Sequence, residues 1–277
     1  MPDNLCKLTM REQQEIELEI LTAFKRLCEK HNLYYVLAGG TLLGAVRHQG
    51  FIPWDDDIDV LMPRPDYERL CQLIREHAIE FPPYLEARCW FTEPHMNIPF
   101  LKIVDLRTLV KENYMMGDEH LWIDIFAMDG STENDRNLKK QFDQSILLRK
   151  ILFKKQTRPG TGKTRFRSVA KAILRTILKP IDAKWLCQKI EQTATRYRFD
   201  NCRFIAGVQW GYGPQERIDR MSWMIPVEVA FEDQLFNAPS NYHEYLHNLY
   251  GDYMQLPPVE KRVVHEMNAY IKEVYNK

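Results

Sequence analysis

A glycine pair followed by a dense run of aspartates constrains this chain more than any other feature. Residues 39–41 read Gly-Gly-Thr, and residues 55–59 read Asp-Asp-Asp-Ile-Asp. An apolar segment precedes each of them, so the predicted order of elements is strand, tight turn, short helix, loop and strand. Four carboxylates within five positions repel one another, so a fold keeps them either in water or around a cation.

A divalent cation is the first hypothesis for the acidic run. In a strand, Asp57 and Asp59 project to one face, while Ile58 and Val60 project to the other face and into a core. Mg²⁺ takes oxygen ligands, usually one or two carboxylates together with substrate phosphates. We therefore predict Mg²⁺, with Mn²⁺ as an alternative, bound by the two aspartates and by a phosphorylated substrate. The other interpretation is a solvated acidic surface, which the apolar neighbours on both sides make less favourable.

A third carboxylate ligand is expected from another strand. Asp124 interrupts the apolar run of residues 120–127, and a buried carboxylate needs a cation, a proton or hydrogen-bond donors. The alternative is an aspartate at a strand end that caps a loop.

The glycine pair predicts a phosphate-binding site. Gly39 and Gly40 lack a Cβ atom, so their backbone N–H groups can approach a phosphate at the positive N-terminal end of the following helix. Thr41 can add a hydroxyl group there. Taken alone, a glycine pair is more often an ordinary turn.

Residues 39–48 and 50–59 together resemble the signature of the LicD family, which belongs to the nucleotidyltransferase superfamily and includes phosphocholine transferases. The further stretches that are similar to the family are residues 102–108, 122–126 and 250–262. The resemblance implies transfer of a phosphorylated alcohol, most often phosphocholine, from a CDP-activated donor such as CDP-choline. It also implies that the acceptor is a sugar hydroxyl of a cell-surface glycan, expected to be lipid-linked, or of a teichoic acid precursor, and that CMP is released.

The charged residues near the predicted site can be given roles in such a reaction. The candidates for binding the donor phosphates are Arg47, His48 and Lys102. A surface Arg or Lys is more often only solvated. Asp124 is the preferred group to take the proton of the acceptor hydroxyl. Asp55 and Asp56 are expected to orient the metal ligands or the loop backbone.

Two other classes of function remain open. A nucleotidyltransferase would use the same turn and carboxylates to move a nucleoside monophosphate to a small molecule, a sugar or RNA, and would release pyrophosphate rather than CMP. A nucleic-acid-binding protein would use the basic residues 149–179. That stretch has only Phe153 and Phe166 to stack on bases, and the whole chain is neutral, so we expect no nucleic-acid partner.

The pattern of apolar residues predicts a mixed α/β fold, with a core sheet flanked by helices and a largely helical C-terminal addition. The resemblance implies that this core sheet is nucleotidyltransferase-like. The chain has 277 residues, of which 45% are hydrophobic, so it can bury a full core. A capping box at residues 9–12 predicts the first helix, and Asp66 the start of the second. The predicted strands after the acidic run are residues 84–91, 99–104 and 120–126. The predicted segments are a catalytic core at 1–130, a basic helical insertion at 131–200 and a segment completing the active site at 201–277.

The chain is expected to be cytoplasmic, since no apolar stretch reaches the length of a membrane span and the first residues do not resemble a signal peptide. Residues 149–179 contain eleven Lys and Arg and no acidic residue. As an amphipathic helix they can lie on the inner face of an anionic membrane, hold an anionic glycan, or form an ordinary core helix. Residues 159–164 resemble a phosphate-binding loop, but Thr157 stands where that motif needs glycine.

Aromatic residues late in the chain have two interpretations. In the first interpretation, these residues belong to the ordinary core. In the second, they form part of a cage for the quaternary ammonium of choline. The candidates are Trp210, Tyr212 and Trp223. The sequence favours the core.

Overall fold

The computed structural model describes residues 5–92, 97–112, 119–156, 176–262 and 267–272. Its strands are β1 (Leu5–Lys7), β2 (Val36–Leu37), β3 (Asp59–Pro63), β4 (Leu85–Arg88), β5 (Leu101–Glu112), β6 (Glu119–Ser131), β7 (Phe204–Ala206), β8 (Ile218–Asp219), β9 (Pro226–Phe231), β10 (Gln234–Pro239) and β11 (Met267–Lys272). Its α-helices are α1 (Met10–His31), α2 (Gly39–His48), α3 (Arg64–Arg75), α4 (Asp135–Gln156), α5 (Ala183–Ala194), α6 (Arg220–Trp223) and α7 (Tyr242–Tyr250).

Nine of the described strands form one mixed sheet. Its main path runs β1-β11-β5-β6-β3-β2, while β4 also pairs with β5, β7 pairs with β6, and β8 pairs with β7. The β3–β6 pair is parallel, and β9 and β10 form a separate antiparallel pair. Helices α1 and α3 pack on the central strand β6. The predicted mixed α/β architecture, a central sheet flanked by helices, is therefore confirmed.

The core is built where the sequence has its strongest apolar periodicity. Helix α1 begins with the predicted capping box, in which Thr9 and Glu12 bond reciprocally to each other's backbone N–H groups. Its buried face includes Ile20, Leu21 and Phe24, which join the large cluster of buried residues around the sheet. This anchoring matters for the site, because Gln14 of the same helix donates a hydrogen bond to the carbonyl of Asp55 at 2.9 Å.

Several element bounds differ from the predictions. Strand β3 begins at Asp59, where pairing with β6 starts, so Asp57 lies in the preceding loop and not on the same strand. Helix α3 begins at Arg64 rather than at Asp66, since Pro65 is tolerated in a first helical turn whose N–H groups lack helical partners. Strands β5 and β6 extend further than predicted, because they pair with each other and β5 also pairs with β11.

Candidate active site

The glycine turn brings backbone close to carboxylates. Gly39 has φ +51°, in the left-handed region that favours glycine. A Cβ atom on Gly39 would lie 3.1 Å from Oδ2 of Asp59, and one on Gly40 would lie 2.6 Å from Oδ2 of Asp55. Gly39 therefore needs the absence of a side chain, whereas a side chain at position 40 would require the carboxylate of Asp55 to move. Thr41 is buried and its hydroxyl accepts a hydrogen bond from the N–H of Asp59 at 2.8 Å, so it fixes the start of β3 against α2.

Three predicted carboxylates border one cavity. Asp59 and Asp124 are register partners on the parallel strands β3 and β6, and the loop residue Asp57 joins them in the lining. The other lining residues are Ala38, Gly39, Leu61, Phe126, Gly207, Trp210, Gly211, Tyr212, Glu216 and Tyr245. We call this the carboxylate cavity. Its volume of about 130 Å³ is below the roughly 300 Å³ of a typical ligand pocket, so a nucleotide donor must extend beyond it.

Burial and mutual repulsion dominate the electrostatics of the carboxylate cavity. Burial raises the pKa of Asp59 well above its usual range, and the charges of Asp57 and Asp124 add to this effect. Burial also raises the pKa of Asp124 to about 6, although the positive charge of Lys102 opposes the shift. Lys102 faces Asp124 across the β5–β6 pair, with 3.6 Å between Nζ and Oδ1. One cation therefore faces an excess of negative charge.

The oxygen atoms of this cavity fit a hard divalent cation in chemical type. Oδ1 of Asp124 is buried and accepts no hydrogen bond from a described residue. Carboxylate oxygens are the ligands that Mg²⁺ prefers. Across the described ranges, however, no group of three His, Cys, Asp or Glu side chains lies close enough together to hold a metal ion by itself. Substrate oxygens would therefore have to complete the coordination of any ion held by Asp57, Asp59 and Asp124.

Arg47 lies on the other side of the glycine turn. Its Nη1 donates to the carbonyl of Tyr253 at 2.8 Å, and its Nε lies 3.0 Å from Nε2 of His48. Arg47 lines a second cavity, which we call the arginine cavity, together with Gly40, Leu43, Ile52, Trp54, Asp55, Tyr250, Asp252, Tyr253, Gln255, Pro257 and Arg262. The structure therefore separates Arg47 from Lys102, which pairs with Asp124.

The remaining aspartates of the acidic run lie near the site. Asp55 lines the arginine cavity beside Gly40, and Asp56 is buried. Glu17 of α1 is buried as well, and the nearby charges of Asp57 and Asp56 add to the effect of burial in raising its pKa. Helix α1 thus carries a further acidic group close to the aspartate loop, which the sequence analysis did not identify.

The aromatic candidates divide between the site and the core. Trp210 and Tyr212 line the carboxylate cavity. Trp223 is 0% exposed and packs edge-on against Tyr34, with 5.5 Å between ring centroids, so the hypothesis that it contacts choline is wrong. Guanidinium Cζ of Arg149 lies 5.2 Å from the ring centroid of Trp210, so that ring already faces one cation.

Glu216 is a site residue that sequence reasoning missed. It lines the carboxylate cavity, is buried, and accepts hydrogen bonds from the backbone N–H groups of Tyr212 and Gly213. Burial raises its pKa to about 7. The available signal was the Gly-Tyr-Gly-Pro-Gln-Glu run, in which a carboxylate follows a tight turn. Tyr245 was also missed, and its hydroxyl accepts a hydrogen bond from the N–H of Gly39 at 3.4 Å.

Part of the basic stretch at 149–179 lies outside the described residues, including the sequence at 159–164 that resembles a phosphate-binding loop. In the ranges that are described, no helix combines the length and the apolar character needed to cross a membrane.

Comparisons with known proteins agree with the motifs. Residues 32–164 match the LicD/FKTN/FKRP nucleotidyltransferase domain. The chain is 33% identical to the lipopolysaccharide cholinephosphotransferase LicD of Haemophilus influenzae, over 96% of this chain and 99% of that protein. A shorter match, 50% identical over 17% of this chain and 18% of the relative, is to the uncharacterized protein RP689 of Rickettsia prowazekii. The chain therefore belongs to the LicD family, and it is a LicD-type transferase.

Proposed function

We propose that this protein transfers phosphocholine, or a related alcohol phosphate, from a CDP-activated donor to a sugar hydroxyl of a lipopolysaccharide or another cell-surface glycan precursor. The observation that Asp57, Asp59 and Asp124 line one cavity together with Gly39 carries the proposal. Similarity to a cholinephosphotransferase over nearly the full length of both chains supports the choice of phosphocholine. The donor is a nucleotide, so we propose that the reaction takes place in the cytoplasm, before export of the glycan.

The reaction needs positioning and charge neutralisation more than covalent help. The acceptor oxygen forms a bond to the phosphorus that carries choline, the bond from that phosphorus to the CMP oxygen breaks, and the hydroxyl proton leaves. A divalent cation held by the three carboxylates would neutralise charge on the donor phosphates when bound. The N-terminal N–H groups of α2 and Lys102 add positive charge at the same cavity.

Residues that line the two cavities can remove the acceptor proton and orient the donor. We assign Asp124 to take the proton of the acceptor hydroxyl, because it borders the cavity. Trp210 and Tyr212 offer aromatic surface to the choline head group. The arginine cavity, on the other side of Gly40, has Arg47 and Arg262 available for the nucleotide part of the donor.

The test is CMP release from CDP-choline by purified protein with a lipopolysaccharide core acceptor, with and without Mg²⁺. We expect metal-dependent CMP release that falls at least about a hundredfold in Asp57→Ala and Asp59→Ala, because each loses charge stabilisation at the phosphate. Asp143→Ala is the matched control, since Asp143 is exposed on α4, where it pairs with Lys139. Release of pyrophosphate from CTP, with no CMP from CDP-choline, would instead identify a nucleotidyltransferase.

A further inference from the structure

A third cavity adjoins the carboxylate cavity at residues 210–212. Its other wall is the C-terminal half of α4, which contributes Ile146, Arg149, Lys150, Phe153 and Lys154. We call it the α4 groove. Trp210, Gly211 and Tyr212 line both spaces, so a molecule lying in the groove lies directly beside the carboxylate cavity.

The α4 groove combines exposed apolar surface with positive charge. Phe153 is 52% exposed and Tyr212 is 76% exposed. Lys150 and Lys154 are four residues apart and therefore lie on one face of the helix. Both are exposed, and neither forms an ion pair with another residue in the described ranges. An exposed cluster of cations beside aromatic rings is suited to an anionic glycan, whose sugar faces pack on rings while its charges meet the ammonium groups.

Arg149 has a different role at this groove. Its Nη2 donates to the carbonyl of Gly211 at 2.7 Å, and its guanidinium lies beside the Trp210 ring. It therefore fixes residues 210–212 against α4 and keeps the wall between the two spaces in place. Among the described residues, the positive charge of the groove that has no ion-pair partner comes from the two lysines.

The in-line geometry of phosphoryl transfer indicates which substrate, the donor or the acceptor, occupies the α4 groove. The attacking oxygen and the leaving oxygen lie on opposite sides of the phosphorus. The arginine cavity lies beside Gly40, next to Gly39 of the carboxylate cavity, whereas the α4 groove adjoins that cavity at residues 210–212. With the nucleotide on the arginine side, the acceptor enters from the groove.

We propose that the α4 groove binds the acceptor glycan through a phosphate group on that glycan, held by Lys150 and Lys154. This inference rests on the proposed transferase function and specifies in addition that the acceptor glycan carries a negatively charged phosphate group.

The experiment uses one lipopolysaccharide core oligosaccharide in two forms, as prepared with its phosphate monoesters and after treatment with alkaline phosphatase. CMP release from CDP-choline gives KM for each acceptor and for the donor. The proteins are the unsubstituted chain, the double variant Lys150→Gln/Lys154→Gln, and the control Lys139→Gln/Lys140→Gln. The control makes the same change of charge on the same helix, at exposed positions outside the groove.

For the unsubstituted protein and the control, we expect phosphatase treatment to raise the acceptor KM about tenfold, with an effect that shrinks at high salt. The groove variant should show the raised KM with both acceptors. The KM for CDP-choline should not follow this pattern. An equal response of the groove variant and the control, or a rise confined to the donor KM, would overturn the proposal. The proposal would also be overturned if the groove variant no longer bound phosphatidylglycerol vesicles but still responded to phosphatase treatment of the acceptor. That result would assign the two lysines to binding a membrane.

Binding of the phosphorylated oligosaccharide without donor, measured by calorimetry, separates the two levels of inference. If the unsubstituted protein releases no CMP but binds the oligosaccharide through the two lysines, the proposed reaction fails and the groove assignment stands. If it releases CMP without preferring the phosphorylated acceptor, the reaction stands and the groove assignment fails.

Discussion

Replacing Arg64 by methionine should destabilise the protein more than any exposed substitution on the same helix. The side chain of Arg64 is 6% exposed, and its Nε lies 2.7 Å from Oδ1 of Asp129, which is 0% exposed. Its Nη1 lies 2.5 Å from Oε1 of Glu191. Removing one partner of a buried ion pair typically costs about 3–5 kcal/mol, because the remaining charge is left uncompensated. A loss of about 3 kcal/mol is a large fraction of the roughly 5–15 kcal/mol that stabilises a typical domain.

The pH dependence of this loss follows from Asp129. Burial raises the pKa of Asp129 to about 6, while Arg64 opposes the shift. Because the folded-state pKa is raised, the contribution of this carboxyl group to stability is present below its ordinary pKa of about 4 and is lost as the pH rises through about 6. Without Arg64 the pKa of Asp129 moves higher still. The destabilisation by Arg64→Met should therefore be smaller at pH 5 than at pH 8.

Urea unfolding followed by circular dichroism measures both effects. With a slope near 3 kcal/mol per molar, the loss lowers the midpoint at pH 8 by about 1 M. Arg69→Met is the control on α3, because Arg69 is exposed and should change stability by less than about 0.5 kcal/mol. Adding Asp129→Leu to Arg64→Met should recover part of the loss, since the uncompensated carboxylate is gone. Equal midpoints for the Arg64 and Arg69 variants at pH 8 would refute this account of the buried pair.

Two further substitutions test local geometry. In Gly44→Ala the new Cβ would lie 2.5 Å from the carbonyl oxygen of Gly50, so α2 must move. The free energy of unfolding should fall by about 1–3 kcal/mol. An unchanged melting temperature would contradict this close approach. Burial raises the pKa of the Glu216 carboxyl group to about 7, so this group lowers the stability of the folded protein as the pH rises from about 4.5 to 7. In Glu216→Gln the carboxyl group is absent, and this decline should vanish. Urea midpoints at pH 5 and pH 8 measure it, and an unchanged pH slope would contradict the buried position.

The features predicted from sequence are those that short segments determine. Helix α2 and the start of α1 each depend on signals within a few residues, and both are found in the structure. Helix α2 begins at Gly39, however, so the residues predicted as a separate turn form its first turn. Asp124 was also identified, because a carboxylate in an apolar strand is conspicuous within its own segment. The same local reasoning misplaced Asp57 on strand β3, since alternation alone does not show at which residue pairing begins.

Other features depend on partners that no local pattern reveals. Arg64 meets Asp129 and Glu191 across separations of 65 and 127 residues. Glu191 in turn accepts a hydrogen bond from Gln209 at 2.7 Å, next to Trp210 of the site. Nothing in the periodicity of α3 indicates that its first residue supports an aromatic loop so far along the chain. The two roles of the late tryptophans could not be separated for the same reason, because tertiary packing alone decides which ring is buried.

The hydrophobic core itself holds the carboxylates in place. Asp59 is opposite Asp124 on parallel strands, and the next pair in register, Val60 and Ile125, is fully buried. A slip of one residue between β3 and β6 would move these apolar side chains out of the core and the carboxylates into it. Lys102 is fixed in the same way, since β5 places it opposite Asp124 while the neighbouring Ile103 faces the core. The burial that stabilises the sheet therefore also determines which charges meet in the carboxylate cavity.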